Sequence, residues 1–144
     1  MAVLLRVVSI DRSLFEGEVD GQGRPFLVCQ GGEGQIGVLP RHAPLLATLK
    51  PGELLIRNGA EETVLFVGGG FVEVLPDRVT VLADVAERAE EINEEAAEEA
   101  RRRAQESLAG QLSTQEQADM VYALEVADAR LRLARIRKSR PTGV

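Results

Sequence analysis

Over residues 1–83 the apolar positions fall into short segments rich in Val, Leu, Ile, Thr and Phe: "VLLRVVSI", "SLFEGEVD", "PFLVCQ", "LLATL", "ELLIRN", "ETVLFVG", "FVEVL" and "RVTVLAD". Each has the length and composition of a β-strand, because branched and aromatic side chains pack well on a pleated surface. Between them stand "GQGRP", "KPGE", "RNGAEE" and "LPDR", where Gly allows positive φ and Pro fixes φ for a tight reversal. Strands this close together, with no helical segment between them, predict an antiparallel β-sandwich or barrel.

At Asp84 the pattern changes. Beyond it no strand-like run occurs, Gly stands only at 110 and 143, and Pro only at 141. "DVAE" (84–87) and "STQE" (113–116) both have the capping-box spacing that starts a helix, and Gly110 is expected to close the first helix in the left-handed conformation. Glu87, Glu90 and Glu91 early and Arg101, Arg102 and Arg103 late suit the helix macrodipole. Glu98 with Arg102, Glu99 with Arg103 and Asp128 with Arg132 stand at i,i+4, each pair adding a few tenths of a kcal/mol. The expectation is an α+β chain: an N-terminal antiparallel β-sandwich over 1–83, then a C-terminal antiparallel two-helix hairpin over 84–144.

The expected inward stripe of the first helix is Ala89, Ile92, Ala96, Ala100, Ala104 and Leu108; that of the second is Val121, Leu124, Ala127, Leu131 and Ala134. A buried methyl contributes about 0.8 kcal/mol, against about 1.5–3 for a large aliphatic side chain. Strong helix formers with so thin an apolar stripe predict a mobile arm that stays helical while leaving its docking site.

Charge narrows the partners. The chain has 144 residues, with 17 Lys+Arg against 23 Asp+Glu, net −6, which argues against nonspecific attraction to nucleic acid or anionic lipid. No apolar run approaches the roughly 20 residues of a bilayer span, and the N-terminus alternates polar and apolar residues where a signal peptide has an apolar core, so an intracellular protein is expected. One cysteine, Cys29, sits in an apolar run and reads as a buried strand thiol. Net charge is −3 over 1–83, −5 over 84–112 and +2 over 113–144, the positive end being "RLRLARIRKSR" (130–140). That segment reads equally as a solvated turn complementing the helix dipole or as a contact for an acidic partner.

"GEGQIG" (32–37) matches G-x-G-x-x-G, but a dinucleotide fingerprint must open a helix, and Pro40 and Pro44 would break one there. The glycines read as turn residues instead. "GGG" (68–70) lacks the Lys-Ser/Thr of a phosphate loop and reads as a strand bulge or close backbone approach. His42 has no second histidine and no arranged carboxylate, so a ring bonded to backbone is favoured over a general base or metal ligand. No catalytic or metal-binding residues are assigned, and no cofactor is expected.

"LFEGEV" (14–19), "GEGQIGVLPRHAPLL" (32–46), "KPGEL" (50–54) and "VGGGFVEVLPDRVTVLADVAERAEEI" (67–92), followed by two helices, resemble the epsilon subunit of the bacterial F-type ATP synthase over essentially the whole chain. The resemblance implies a noncatalytic central-stalk subunit of a proton-transporting rotary enzyme, peripheral on the cytoplasmic face of the bacterial plasma membrane and held there only through its complex. The implied partners are the gamma subunit and the membrane rotor ring of subunit c, with the beta and alpha subunits met when the hairpin extends. Glu33, Gly34, Gln35, Ile36 and His42 become the ring- and gamma-facing set. Arg130, Arg132, Arg135, Arg137 and Lys138 become the inhibitory contact with an acidic segment of beta.

Some similar subunits bind ATP on the folded hairpin through I/L-D-x-x-R-A. Here "INEEAA" (92–97) puts Asn93 for the Asp and Ala96 for the Arg, with Ile92, Glu87 and Arg130 at other positions of that site. Losing the Arg removes roughly 1.5–3 kcal/mol of direct interaction, so millimolar or absent ATP binding is expected. A free-standing β-sandwich adaptor with a partner-binding hairpin is the alternative.

Overall fold

The computed structural model describes residues 2–139, with the backbone alone described at 137–139. The chain divides into two compact units between Arg88 and Ala89.

The first unit contains ten strands: β1 (Val3–Ser9), β2 (Ser13–Val19), β3 (Leu27–Gly31), β4 (Gly34–Val38), β5 (Leu45–Leu49), β6 (Gly52–Asn58), β7 (Glu61–Val67), β8 (Gly70–Val74), β9 (Arg78–Ala83) and β10 (Ala86–Arg88). They hydrogen-bond in the order β10-β7-β6-β3-β5-β8-β9-β1-β2, with β4 on β3. Pairings are antiparallel except β1 with β9, which run parallel with Leu5 opposite Val79. The two ends of this path are tied by side chains: Arg12 Nη2 donates to the Ala86 carbonyl and Arg88 Nη2 to the Leu14 carbonyl, both at 3.1 Å. Inside lie Leu5, Val7, Val19, Phe26, Leu27, Cys29, Leu54, Ile56, Leu65, Val72, Val74, Val79 and Val81. The alternation read from the sequence is the physical cause, since one parity of each strand faces this core and the other faces out.

Two strands were not expected. β4 lies inside the glycine-rich motif, and β10 occupies Ala86–Arg88, where a helix start was expected. "DVAE" is therefore no capping box. The open edge of β7 takes Ala86, Glu87 and Arg88 into register with Val67, Phe66 and Leu65, and the Gly68 N–H donates to the Val85 carbonyl at 2.8 Å. Pairing a sheet edge satisfies several backbone groups at once, which outweighs a helix cap contributing about 1 kcal/mol. The observed division lies beyond the expected one at 83/84 because β10 belongs to the first unit.

The second unit opens with a 3₁₀ turn (Ala89–Glu91), followed by α1 (Glu94–Leu108) and α2 (Thr114–Ser139), which pack together. Asn93 caps α1, its side-chain oxygen accepting from the Ala96 N–H at 3.0 Å. Ser113 and Glu116 form the expected capping box of α2. Gly110 does not take a left-handed φ; Ala109 ends α1 in the right-handed region and its N–H donates back to the carbonyls of Gln105 and Glu106. Because α1 ends at Leu108, Arg101–Arg103 stand in its middle, and its last turn has no basic residue.

The stripe of α1 departs in part from the expected one. Ala97 is buried while Ala96 and Ala100 are exposed, whereas Ala89 and Ala104 are buried as expected. In α2, Ala127 and Leu131 are buried as expected, Val121 is exposed, and Ala129 and Leu133 are buried as well.

Candidate functional site

Three surfaces carry candidate function, and each follows from how its strand or helix is built. In the first, β3 and β4 form a hairpin whose two-residue turn is Gly32–Glu33, with Gly31 opposite Gly34 and Cys29 opposite Ile36. Gly34 has φ 139°, open to glycine alone, and a Cβ on Gly31 would press into Ile36 and the Gly34 carbonyl. The Gly32 N–H donates to the Thr48 carbonyl at 3.1 Å, anchoring the turn to β5. Glu33, Gly34 and Gln35 are exposed, and Ile36 packs partly on the core. With Leu45–Thr48 they line a concavity of about 540 Å³. The motif is thus a β-hairpin, as its prolines required, and offers no helix N-terminus to a pyrophosphate.

His42 is positioned differently. Pro40 and Arg41 form the corner of a turn in which the His42 N–H donates to the Leu39 carbonyl at 3.2 Å, and Arg41 has φ 61°. Proline followed by a positive φ is the type II arrangement. His42 Nδ1 lies 2.6 Å from the Ala43 carbonyl, so the ring is bonded to backbone. Pro40 and Arg41 line a second concavity with Ala2, Val3, Pro76 and Asp77. Glu33, Gly34, Gln35 and Ile36 therefore share one recess, and His42 is outside its lining.

The second surface was not singled out from the sequence. Along β5, β8, β9 and β1, Thr48 stands opposite Phe71, Phe71 opposite Leu82, and Leu82 opposite Val8. Phe71 and Leu82 are 50% and 56% exposed, and Leu46, two residues along β5 from Thr48 and opposite Glu73, is 69% exposed, so this outer face has an apolar cluster. The next row starts at Leu46 and is polar from there on, with Glu73, Thr80, Arg6 and Glu16. The signal was available in "GFVEV": Val72 and Val74 share one parity and face the core, which forces Phe71 outward beside Glu73.

The third surface is the basic end of α2. Arg130 is half-buried and Arg132 is exposed. Arg135 lies 3.3 Å from Glu94 and 3.7 Å from Glu98. The side chains of Arg137 and Lys138 lie outside the described residues. Of the positions expected to recognise ATP, Glu87 lies in β10, Ile92 and Asn93 precede α1, and Asn93 has its side-chain oxygen committed to the helix cap. No group of three His, Cys, Asp or Glu suited to a metal occurs among the described residues. No helix among them is long and apolar enough to cross a membrane.

Residues 2–89 match the family model described as ATP synthase, Delta/Epsilon chain, beta-sandwich domain, and residues 90–135 match the corresponding long alpha-helix domain. An ATP synthase epsilon chain of Herpetosiphon aurantiacus is 43% identical over 141 residues, covering 97% of this chain and 99% of that relative. One of Acidithiobacillus ferridurans is 44% identical over 137 residues, covering 95% and 90%. Among solved structures, a chain of the Euglena gracilis mitochondrial ATP synthase, imaged with its OSCP, F1 and c-ring, superposes with a TM-score of 0.74. It is 22% identical and covers 89% of this chain and 78% of that one. At that identity the superposition speaks for the fold.

Proposed function

The chain belongs to the delta/epsilon chain family of the ATP synthase, and from that membership we propose that it is a central-stalk rotor subunit coupling ring rotation to ATP synthesis. It performs no bond-making chemistry of its own in this reading; its work is to grip neighbours without yielding. The observation that carries the reading is the apolar cluster on the outer face of the sandwich, Phe71 paired with Leu82 and Leu46 in the adjacent row. Clustered apolar side chains on an otherwise polar sheet are a protein-docking surface, and gamma is the partner we assign to it.

The β3–β4 turn is the foot set against the polar loops of the rotor ring, with Glu33 and Gln35 as its exposed polar groups. Gly31, Gly34 and the Gly32–Thr48 hydrogen bond hold its backbone in one shape, so little conformational entropy is lost when it seats. Membrane association, on the cytoplasmic face of the bacterial plasma membrane, comes only through the complex.

The hairpin is the regulatory arm. Extended along gamma, it brings the basic end of α2 to an acidic segment of beta and obstructs hydrolysis. Coexpression with the gamma-like subunit tests the grip: the wild-type chain forms a one-to-one complex, and Phe71→Asp with Leu82→Asp abolishes it. Removing everything after Arg88 tests the arm: coupled synthesis persists and hydrolysis rises, whereas unchanged hydrolysis would remove the inhibitory role.

A further inference from the structure

Glu94, Glu98 and Arg101 stand at i, i+4 and i+7 of α1, and Asp128, Arg132 and Arg135 at i, i+4 and i+7 of α2. Each triplet therefore lies along one row of its helix. Read antiparallel, acid-acid-base on α1 faces base-base-acid on α2. The outer positions pair in that order, Arg101 Nε lying 3.2 Å from Asp128 Oδ1 and Arg135 Nε 3.3 Å from Glu94 Oε1, and Arg135 Nη2 also reaches Glu98 Oε2 at 3.7 Å. Glu98 and Asp128 thus pair across the helices and not with the i,i+4 arginines on their own helices.

We infer that this charge seam is a latch on the hairpin, in which Glu94 and Glu98 stand in for the acidic partner of Arg135. The inference rests on the inhibitory reading only for its consequence; the latch itself is a property of the second unit. The apolar seam beside it is thin, with Ala97 and Ala104 as the fully buried residues of α1, so the ionic contacts carry an unusual share of closure. An acidic segment that takes Arg135 must displace the two carboxylates of α1. Closed hairpin and partner contact therefore exclude one another. The pairs are half-exposed, and salt screens them.

Amide hydrogen exchange on the full chain tests the latch. Glu94→Gln with Glu98→Gln should speed exchange in α1 and α2 about three- to tenfold at low salt, the range expected for losing two exposed pairs. Arg135→Gln should give the same acceleration, and all three substitutions together should give no more, because they remove one interaction. Raising salt to about 1 M, where screening acts within about 3 Å, should bring the wild type to the variants. Glu95→Gln is the control: it removes another carboxylate from the first turn of α1, but Glu95 is exposed and makes no ion pair among the described residues. If the double variant exchanges no faster than Glu95→Gln, or the effects of the three substitutions add, the latch is wrong. Hydrolysis by the assembled complex is a separate readout. The double variant should inhibit more strongly; faster exchange with unmoved hydrolysis would keep the latch and refute the inhibitory reading.

Discussion

Gly70 stands opposite Ala83 across β8 and β9 and so close to the adjoining Leu82 that a Cβ on Gly70 would overlap the Leu82 carbonyl oxygen. Gly70 also has φ 129°, and the Asp84 N–H donates to the Gly69 carbonyl at 3.0 Å beside it. The "GGG" motif is therefore a close backbone approach. Gly70→Ala combines strain with a clash against backbone that cannot give way, and should lower stability by about 3 kcal/mol or more. Gly23→Ala, at φ 87° with open space around it, carries the conformational cost alone and should lose only about 1–2 kcal/mol. Urea midpoints for the two variants check the contrast; equal losses would mean the overlap at Gly70 is relieved.

The Ser113 Oγ accepts from the Glu116 N–H at 3.2 Å, and Glu116 Oε1 accepts from the Ser113 N–H at 3.4 Å. Ser113→Ala should cost about 1 kcal/mol of local helix stability, seen as faster amide exchange confined to the first turn of α2. Asp84→Ala should leave exchange in α1 unchanged, because Asp84 precedes a strand and Asn93 caps that helix.

These two motifs mark how far the sequence reading reached. "STQE" and "DVAE" carry the same local signal, and only one has a helix behind it. What decided "DVAE" was the unpaired edge of β7, a strand 20 residues earlier in the chain, and local spacing does not report a nonlocal edge. The same holds for β4, whose partner β3 turns Gly34, Gln35 and Gly37 into a ladder that their propensities do not suggest. The sandwich strands were legible because alternation reports burial directly. The α1 stripe was right at Ala104 but wrong at Ala96 and Ala100, because an Ala-rich helix offers methyls on nearly every face, so the pattern does not fix its rotation. The turn residues Glu33–Ile36 were legible as a cluster, whereas Phe71 and Leu82 become a surface only when β8 and β9 are laid side by side.

Cys29 is 1% exposed, and burial pushes its thiol from 9.0 up to about 11. Below the unfolded value both states keep the proton. Between that value and about 11 only the unfolded chain releases it, so stability held below pH 9 is lost as pH rises, by at most about 1.4 kcal/mol for each pH unit. Cys29→Ala should lower the plateau by removing core volume yet flatten the decline over that window. A wild-type decline no steeper than that of the variant would show the thiol is not the titrating group. In the same state, thiol reagents should modify Cys29 only at the rate of unfolding.

The boundary between the units can be tested by where the chain is cut. Removal after Ala83 takes away β10 with Arg88, exposes the β7 edge, and leaves the Arg12 guanidinium and the Leu14 carbonyl without their partners on β10. Removal after Arg88 keeps all of these. Two lost side-chain hydrogen bonds at about 1 kcal/mol each, plus the buried Ala86, give an expected difference of about 2–3 kcal/mol in favour of the longer fragment. Equal urea midpoints would mean that Ala86–Arg88 only lie along the sheet without supporting it. In that case the sandwich would end at β9, the composition break at Asp84 would mark the true boundary, and the second unit would begin five residues earlier than the pairing of β10 with β7 implies.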